Sequence, residues 1–175
     1  MGTITKYLCL SFIIMSCGRG LPVTERKAFN PVEKTNIETL MGTFSTLDNE
    51  KVNLEELDAR PTLVIIAAES CITCRKEAQG LVKLFTEQGS LPQNINLYTV
   101  VLGGYLDDAR AWAKSLKINW TVGVQLEGDS LYENYCNAEG TPCVLAFNPT
   151  LKTLTKFVGE SSIEDWQKET GKWEF

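Results

Sequence analysis

Apolar residues along the chain follow two spacings, which predict strands and helices in turn. An uninterrupted apolar run at 62–68 is typical of a strand buried on both faces. Residues 75–85 place apolar side chains three and four positions apart, as on one face of a helix. The same criteria predict strands at 95–102, 122–126, 144–147 and 153–158, and helices at 107–117, at 130–136 and from Ser161 onward. This alternation predicts an α/β fold, with a mixed sheet covered by helices on both faces.

The first residues have a different character and indicate export. Lys6 is the only charged residue before an apolar stretch of signal-peptide length, which is too short to span a bilayer. Ile14-Met15-Ser16-Cys17 resembles a lipobox, the bacterial motif at which cleavage leaves a lipid-modified cysteine, here Cys17. An ordinary secretory signal is the alternative. The predicted division is a signal peptide at 1–16, a flexible polar tether at 17–36 and a folded domain at 37–175.

Composition excludes several classes of function. The net charge of −5 leaves no basic surface for nucleic acid. The chain contains no histidine, which excludes histidine-dependent hydrolases and histidine-ligated zinc sites.

An exported and lipid-anchored chain would belong to the bacterial cell envelope, facing the periplasm or the cell exterior. Disulfide chemistry suits that compartment, because the periplasm is kept oxidising.

Cys71 and Cys74 carry the strongest chemical signal, since they stand where the predicted strand turns into the predicted helix. Free N–H groups and the positive end of the helix dipole stabilise a thiolate at Cys71. Two intervening residues let the second sulfur return onto the first, so the pair can form a reversible disulfide. A purely structural disulfide is the alternative, but these two cysteines are the expected catalytic residues.

A second motif, Gly140-Thr141-Pro142, precedes the predicted strand at 144–147. Together with the cysteine pair, it makes the chain resemble the thioredoxin superfamily. The resemblance implies a thioredoxin-like three-layer fold, with a mixed central sheet and helices on both faces. It also implies a cis bond between Thr141 and Pro142 beside the disulfide. In this family the residue before the proline pairs with the extended chain of the substrate, so Thr141 and Pro142 become the expected substrate-binding residues.

Segments upstream of the cysteines narrow the resemblance to TlpA-like proteins, which are tethered extracytoplasmic thioredoxins of bacteria. The matching segments are 44–48, 52–57 and Arg60-Pro61. The chain departs from the pattern at Ser70, where an aromatic residue is usual, and at Ile72-Thr73, where a proline is common. Thioredoxin also buries an acidic residue beneath its disulfide, and this chain has Ile65 at that position.

The resemblance implies a thiol-disulfide oxidoreductase. Reductase is the expected direction of the reaction, and oxidase is the alternative. Cys71 would attack a disulfide of a partner protein, and Cys74 would resolve the mixed disulfide. This chemistry requires no cofactor and no metal. The implied partners are exported proteins that contain cysteines, apocytochrome c among them, together with an upstream redox donor. The lipid anchor on Cys17 would supply the contact with the membrane.

Two more cysteines, Cys136 and Cys143, bracket the motif at 140–142 and leave three interpretations open. The three are a disulfide that holds the loop in place, an auxiliary redox pair, and two buried free thiols. A rival from another functional class joins all four cysteines of the folded domain in one metal site, on a non-enzymatic binding or adaptor module.

Overall fold

The computed structural model describes residues 33–87, 94–103, 105–136 and 140–161. The predicted signal peptide, the lipidation site at Cys17, most of the predicted tether and the predicted terminal helix lie outside these ranges. Within them, no helix has the length and apolar character required to cross a lipid bilayer.

Strands and helices alternate through most of the described chain. The strands are β1 (Glu33–Asn36), β2 (Thr43–Thr46), β3 (Lys51–Asn53), β4 (Thr62–Ala68), β5 (Asn96–Leu102), β6 (Thr121–Val124), β7 (Cys143–Asn148) and β8 (Thr153–Val158). The helices are α1 (Ile72–Glu87), α2 (Leu106–Leu116) and α3 (Leu131–Tyr135), with a single 3₁₀ turn at Leu54–Glu56. The predicted strands and helices within the described ranges are therefore confirmed, with small shifts at their ends.

All eight strands form one mixed sheet in the order β1-β8-β7-β4-β5-β6-β2-β3. Strand β4 lies near the middle, parallel to β5 and antiparallel to β7. Its first six residues are all buried, which explains why it consists of a continuous apolar run rather than an alternating one. The carboxyl end of β4 leads directly to the cysteine pair.

Helices cover both faces of the sheet, as predicted. On one face, Leu81 and Leu84 of α1 pack on alternate residues of β4, and Trp112 of α2 packs farther along the same face. On the other face, Leu131 of α3 packs in a cluster with Val64 and other residues of β4, β5 and β7. The result is the three-layer arrangement that the resemblance to thioredoxins implies.

Two local predictions need correction. The sheet begins at Glu33, inside the stretch predicted as tether, because β1 pairs its backbone with β8 although its sequence contains no apolar residue. Helix α2 begins at Leu106, one residue before the predicted start at 107, and Tyr105 is in the N-cap position. The Asp107 carboxylate lies in the first turn, where it accepts a hydrogen bond from Arg110 at 2.7 Å.

A polar cluster of exposed Asp58 and Arg60 with buried Asn96 joins the loop before β4 to the start of β5. The Asp58 carboxylate accepts hydrogen bonds from Arg60 Nε at 2.8 and 2.9 Å and from Asn96 Nδ2 at 2.9 Å. These hydrogen bonds lower the pKa of Asp58 to about 2, and the bond from the Arg60 guanidinium has the largest effect. The cluster therefore stabilises the fold while Asp58 is ionised.

Asp58→Asn is expected to make stability less dependent on pH. A lowered carboxyl pKa contributes stability above the pKa of the unfolded chain, about 3.9, and the contribution disappears as pH falls through the folded value. Urea unfolding at pH 7 should show a lower free energy of unfolding for the variant, and the difference should vanish near pH 2. A difference of equal size at both pH values would contradict this account.

Candidate active site

Cys71 and Cys74 lie at the junction between β4 and α1. The Cys71 N–H donates to the Ala68 carbonyl at 3.1 Å, which turns the chain after the strand. The Cys71 carbonyl then accepts the Arg75 N–H at 3.2 Å, so helical hydrogen bonding starts at this residue. A disulfide joins the two cysteines, whose Cα atoms are 5.2 Å apart, within the range that a disulfide requires.

The Cys71 sulfur occupies the position of a helix N-cap. Its Sγ accepts the backbone N–H of Cys74 at 3.1 Å, as the oxygen of a serine or aspartate does at other helix starts. The Thr73 hydroxyl lies 3.2 Å from the same sulfur. Both donors favour a negative sulfur once the disulfide is reduced. Thr73 is a contributor that the sequence pattern did not identify, because any residue is tolerated inside a CxxC motif.

Exposure separates the roles of the two cysteines. The Cys71 side chain is partly exposed, whereas Cys74 is 1% exposed and packs among apolar residues of α1, α2 and the sheet. The side chain of Ile72, beside Cys71, is 72% exposed. An incoming sulfur atom can therefore reach Cys71 first, while Cys74 is placed to attack Cys71 from within.

The loop at 140–142 lies against this disulfide, as predicted. The bond between Thr141 and Pro142 is cis, and the Thr141 carbonyl oxygen is 3.8 Å from Cys71 Sγ. On its far side, the Pro142 carbonyl accepts the Gly159 N–H at 2.9 Å. The fold therefore brings the four predicted residues of the redox and substrate sites together at one end of the sheet.

Cys136 and Cys143 are also joined by a disulfide, with their Cα atoms 6.1 Å apart. Both side chains are buried, at 1% and 0% exposure. They pack with Val64 and Ile66 of β4, whereas Cys74 packs with Ala67. Because successive side chains of a strand point to opposite faces, the sheet separates the two disulfides. The interpretation of Cys136 and Cys143 as two buried free thiols is therefore wrong for this structure.

This separation bears on the rival interpretation of a single metal site. Four sulfurs on opposite faces of a sheet cannot converge on one ion. Among the residues that the structure describes, no group of three or more potential metal ligands occurs. The geometry therefore favours two independent disulfides over a metal centre.

Glu77 is a buried charged residue beside the site that the sequence prediction missed. It lies on α1, one turn beyond Cys74, and is 1% exposed. Its Oε2 accepts the backbone N–H of Ser161 at 2.8 Å, which ties α1 to the segment after β8. Gly159 in that segment holds Pro142, so Glu77 helps to fix the cis-proline loop relative to α1. Its position within the apolar stripe of α1 was a signal available in the sequence.

Glu77→Ala is expected to lower the free energy of unfolding by about 2 kcal/mol, because the partly buried Ser161 N–H loses its acceptor. Gln79→Ala on the exposed side of the same helix is the matched control and should change stability by less than about 0.5 kcal/mol. Urea unfolding of both variants measures the difference. Equal effects would show that the Glu77 contact contributes nothing to stability.

Comparison with known proteins places this geometry in a structural context. No protein-family model matches the sequence, and no curated protein matches it at a significant level. Among solved structures, MTB DsbF superposes with a TM-score of 0.66 at 16% identity, covering 79% of this chain and 99% of its own. A secreted disulfide oxidoreductase of Mycobacterium tuberculosis gives a TM-score of 0.63 at 14% identity, covering 76% and 96%.

A third structure has the same arrangement. The thioredoxin domain of a thiol-disulfide oxidoreductase from Bacteroides vulgatus superposes with a TM-score of 0.62 at 20% identity, covering 79% of this chain and 96% of its own. In each case almost the whole neighbour is matched, so the likeness concerns the complete domain rather than one motif. The central mixed sheet, the covering helices and these superpositions show that the chain has the thioredoxin-like fold.

Proposed function

We propose that the protein is an exported, membrane-anchored thiol-disulfide oxidoreductase that reduces disulfides of partner proteins through Cys71 and Cys74. The observation that carries the proposal is the N-cap position of the Cys71 sulfur, which accepts the Cys74 N–H at 3.1 Å while Cys74 is buried. A structural disulfide has no need of a helix N-terminus that favours a thiolate on its exposed sulfur. Two of the superposed structures are named as disulfide oxidoreductases, which supports thiol-disulfide exchange as the reaction of this protein.

The reaction follows from the exposure of the two sulfurs. The Cys71 thiolate attacks one sulfur of the partner's disulfide, so a mixed disulfide forms and the partner's other sulfur leaves as a thiolate. The Cys74 sulfur, after losing its proton, attacks Cys71 Sγ and releases the second partner thiolate. The partner gains two electrons and two protons, and the Cys71–Cys74 disulfide is formed. An upstream dithiol donor then returns the pair to the reduced state.

Thr141 and Pro142 are assigned to substrate binding. The Thr141 carbonyl, 3.8 Å from Cys71 Sγ, lies beside the only redox sulfur of the described site that is partly exposed. An extended segment of the partner that pairs with the Thr141 backbone would place its own cysteine next to Cys71. Partners are thus exported proteins with accessible cysteines, and apocytochrome c fits this class.

The reduction potential of the Cys71–Cys74 pair tests the proposed direction of the reaction. The protein is equilibrated with mixtures of reduced and oxidised dithiothreitol, and the two sulfurs are alkylated and weighed by mass spectrometry. A reductase should have a potential near that of thioredoxin, about −270 mV, whereas a value near the −120 mV of DsbA would indicate an oxidase. If the protein does not accelerate the reduction of insulin by dithiothreitol, the oxidoreductase proposal fails.

The membrane anchor is assigned to Cys17, on the sequence motif described above. Several acyl chains on this residue would give stable binding, since each buried CH₂ group contributes about 0.8 kcal/mol. The name of one superposed structure, a secreted protein, agrees with a location outside the cytoplasm.

Cys17→Ala is expected to abolish lipidation and to move the protein out of the membrane fraction of a bacterial host, or to leave the precursor uncleaved. Intact-mass analysis of membrane-extracted protein measures both the first residue and the acyl mass. The matched control is Cys9→Ala, which lies within the predicted signal peptide and should leave the processed mass unchanged. A processed chain that starts elsewhere, or that lacks acyl mass, would refute the anchor and leave the redox proposal intact.

A further inference from the structure

The second disulfide encloses the cis-proline loop. Cys136 ends α3, and Cys143 is both the first residue of β7 and the immediate neighbour of Pro142. The covalent ring closed by this bond therefore contains Thr141 and Pro142, the two residues assigned to substrate binding. The Cys136–Cys143 disulfide is thus only a few bonds along the chain from Thr141 and Pro142, although the sheet lies between its sulfurs and those of the redox pair.

Each end of the ring is attached to rigid structure. On the β7 side, Cys143 pairs with Ile66 of β4 and with Val158 of β8, in the interior of the sheet. On the α3 side, the Cys136 N–H donates to the Tyr132 carbonyl at 2.7 Å, and the Gly140 N–H donates to the Cys136 carbonyl at 3.3 Å. Helix α3 has only five residues, and the disulfide links its C-terminal end directly to strand β7 of the sheet.

The same bond is shielded from redox exchange. Neither sulfur belongs to a side chain that is more than 1% exposed. A thiolate from a partner or from dithiothreitol must reach a sulfur in line with the S–S bond, so burial slows its attack. The Cys71–Cys74 pair cannot attack it either, because Cys74 packs against the opposite face of the sheet.

We propose that the Cys136–Cys143 disulfide is a clamp that positions Thr141 and Pro142 for binding of the substrate backbone and takes no part in electron transfer. This inference rests on the proposed function, since it concerns the same substrate site. The physical reason is that the Thr141 carbonyl lies 3.8 Å from Cys71 Sγ, so the position of the loop decides where a paired substrate cysteine meets the nucleophile. A displacement of about 1 Å is enough to lower a reaction rate by about 10²-fold.

The clamp predicts a difference between two kinds of substrate. A peptide disulfide must pair its extended chain with Thr141, whereas bis(2-hydroxyethyl) disulfide has no backbone and needs only the Cys71 sulfur. In the double variant Cys136→Ala with Cys143→Ala, kcat/KM for the peptide disulfide should fall at least fivefold, through KM. The rate constant for bis(2-hydroxyethyl) disulfide should change less than twofold. In both reactions the protein dithiol becomes a disulfide and the substrate becomes two thiols.

Leu131→Ala is the control for general loss of stability. Leu131 lies on α3, is fully buried and packs in the same cluster as the clamp, but its loss leaves the disulfide in place. We expect this variant to unfold more easily while the ratio of the two rate constants stays within twofold of the wild type. The clamp is refuted if the double variant keeps the ratio of the two rate constants within twofold of the wild type, as the control does, or if both rate constants fall by the same factor.

A measurement on the wild-type protein keeps the proposal testable even when the double variant does not fold. Oxidised protein is treated with a small excess of dithiothreitol, alkylated with iodoacetamide, and mapped by mass spectrometry. Alkylation should appear at Cys71 and Cys74 at least tenfold faster than at Cys136 and Cys143. Simultaneous labelling of all four would refute the insulation of the clamp. A wild-type protein that reduces neither disulfide substrate would instead refute the proposed function, so the two failures are distinguishable.

Discussion

Cys71→Ser is expected to lower the rate of insulin reduction at least about 10³-fold, because a hydroxyl at this position cannot form or release a mixed disulfide. The fold should survive, since the Cys71 side chain is partly exposed and serine is a favourable N-cap residue. The measurement is the initial rate with dithiothreitol as donor, alongside circular dichroism to verify folding.

Cys74→Ser is the matched variant, and its expected behaviour is different. Cys71 can still attack a partner, but no resolving sulfur is left, so the mixed disulfide should persist. Non-reducing gels should show a larger species that disappears on addition of reductant, and it should be absent when Cys71 is also replaced. Turnover by Cys71→Ser at the wild-type rate would disprove the assignment of the nucleophile.

Gly123→Ala is expected to lower the free energy of unfolding by more than about 3 kcal/mol. A Cβ atom at this residue of β6 would clash with the Ser45 carbonyl oxygen and lie 2.6 Å from the Phe44 ring. Strand β2 is hydrogen-bonded to β6 at this point, and Phe44 is fully buried, so neither neighbour can move without breaking core contacts. Overpacking of this kind typically costs about 1–3 kcal/mol, and contact with backbone raises the cost.

Gly128→Ala separates this clash from the general cost of replacing glycine. Gly128 has a φ of +89°, which an alanine tolerates poorly, but a Cβ there meets no atom within 4 Å. We expect a loss of about 1 kcal/mol, from backbone strain alone. Urea unfolding of the two variants gives the comparison, and equal losses would mean that the contact between β2 and β6 is more adaptable than the structure indicates.

The central strands and helices could be predicted because local pattern and tertiary environment agree there. Strand β4 is continuously apolar since both its faces are covered, and α1 has an apolar stripe since one of its faces meets the sheet. Strand β1 could not be predicted, because Glu33-Lys34-Thr35-Asn36 has no apolar pattern and is a strand only through backbone pairing with β8. Pairing between two distant segments cannot be predicted from the residue pattern of either segment alone.

The candidate site shows the same division. The cysteine pair and the Thr141-Pro142 motif are recognisable from residue type and order, and their contact is confirmed. The bond between Cys136 and Cys143 could not be chosen over free thiols, because it depends on a Cα separation that the sequence does not contain. Glu77 was missed because a single glutamate in an amphipathic helix is normally exposed, and its contact with Ser161 joins segments that are distant along the chain.

The two outermost strands of the sheet are short and polar. Strand β1 has four residues and β3 has three, and each carries an exposed lysine, Lys34 and Lys51. Charged, short edge strands discourage pairing with other chains, which is how natural sheets avoid aggregation. Copies crowded together should therefore stay separate along both edges. Under the proposed function, an extended partner segment would then pair beside Pro142 rather than along an edge of the sheet, so the charged edges would favour selective binding.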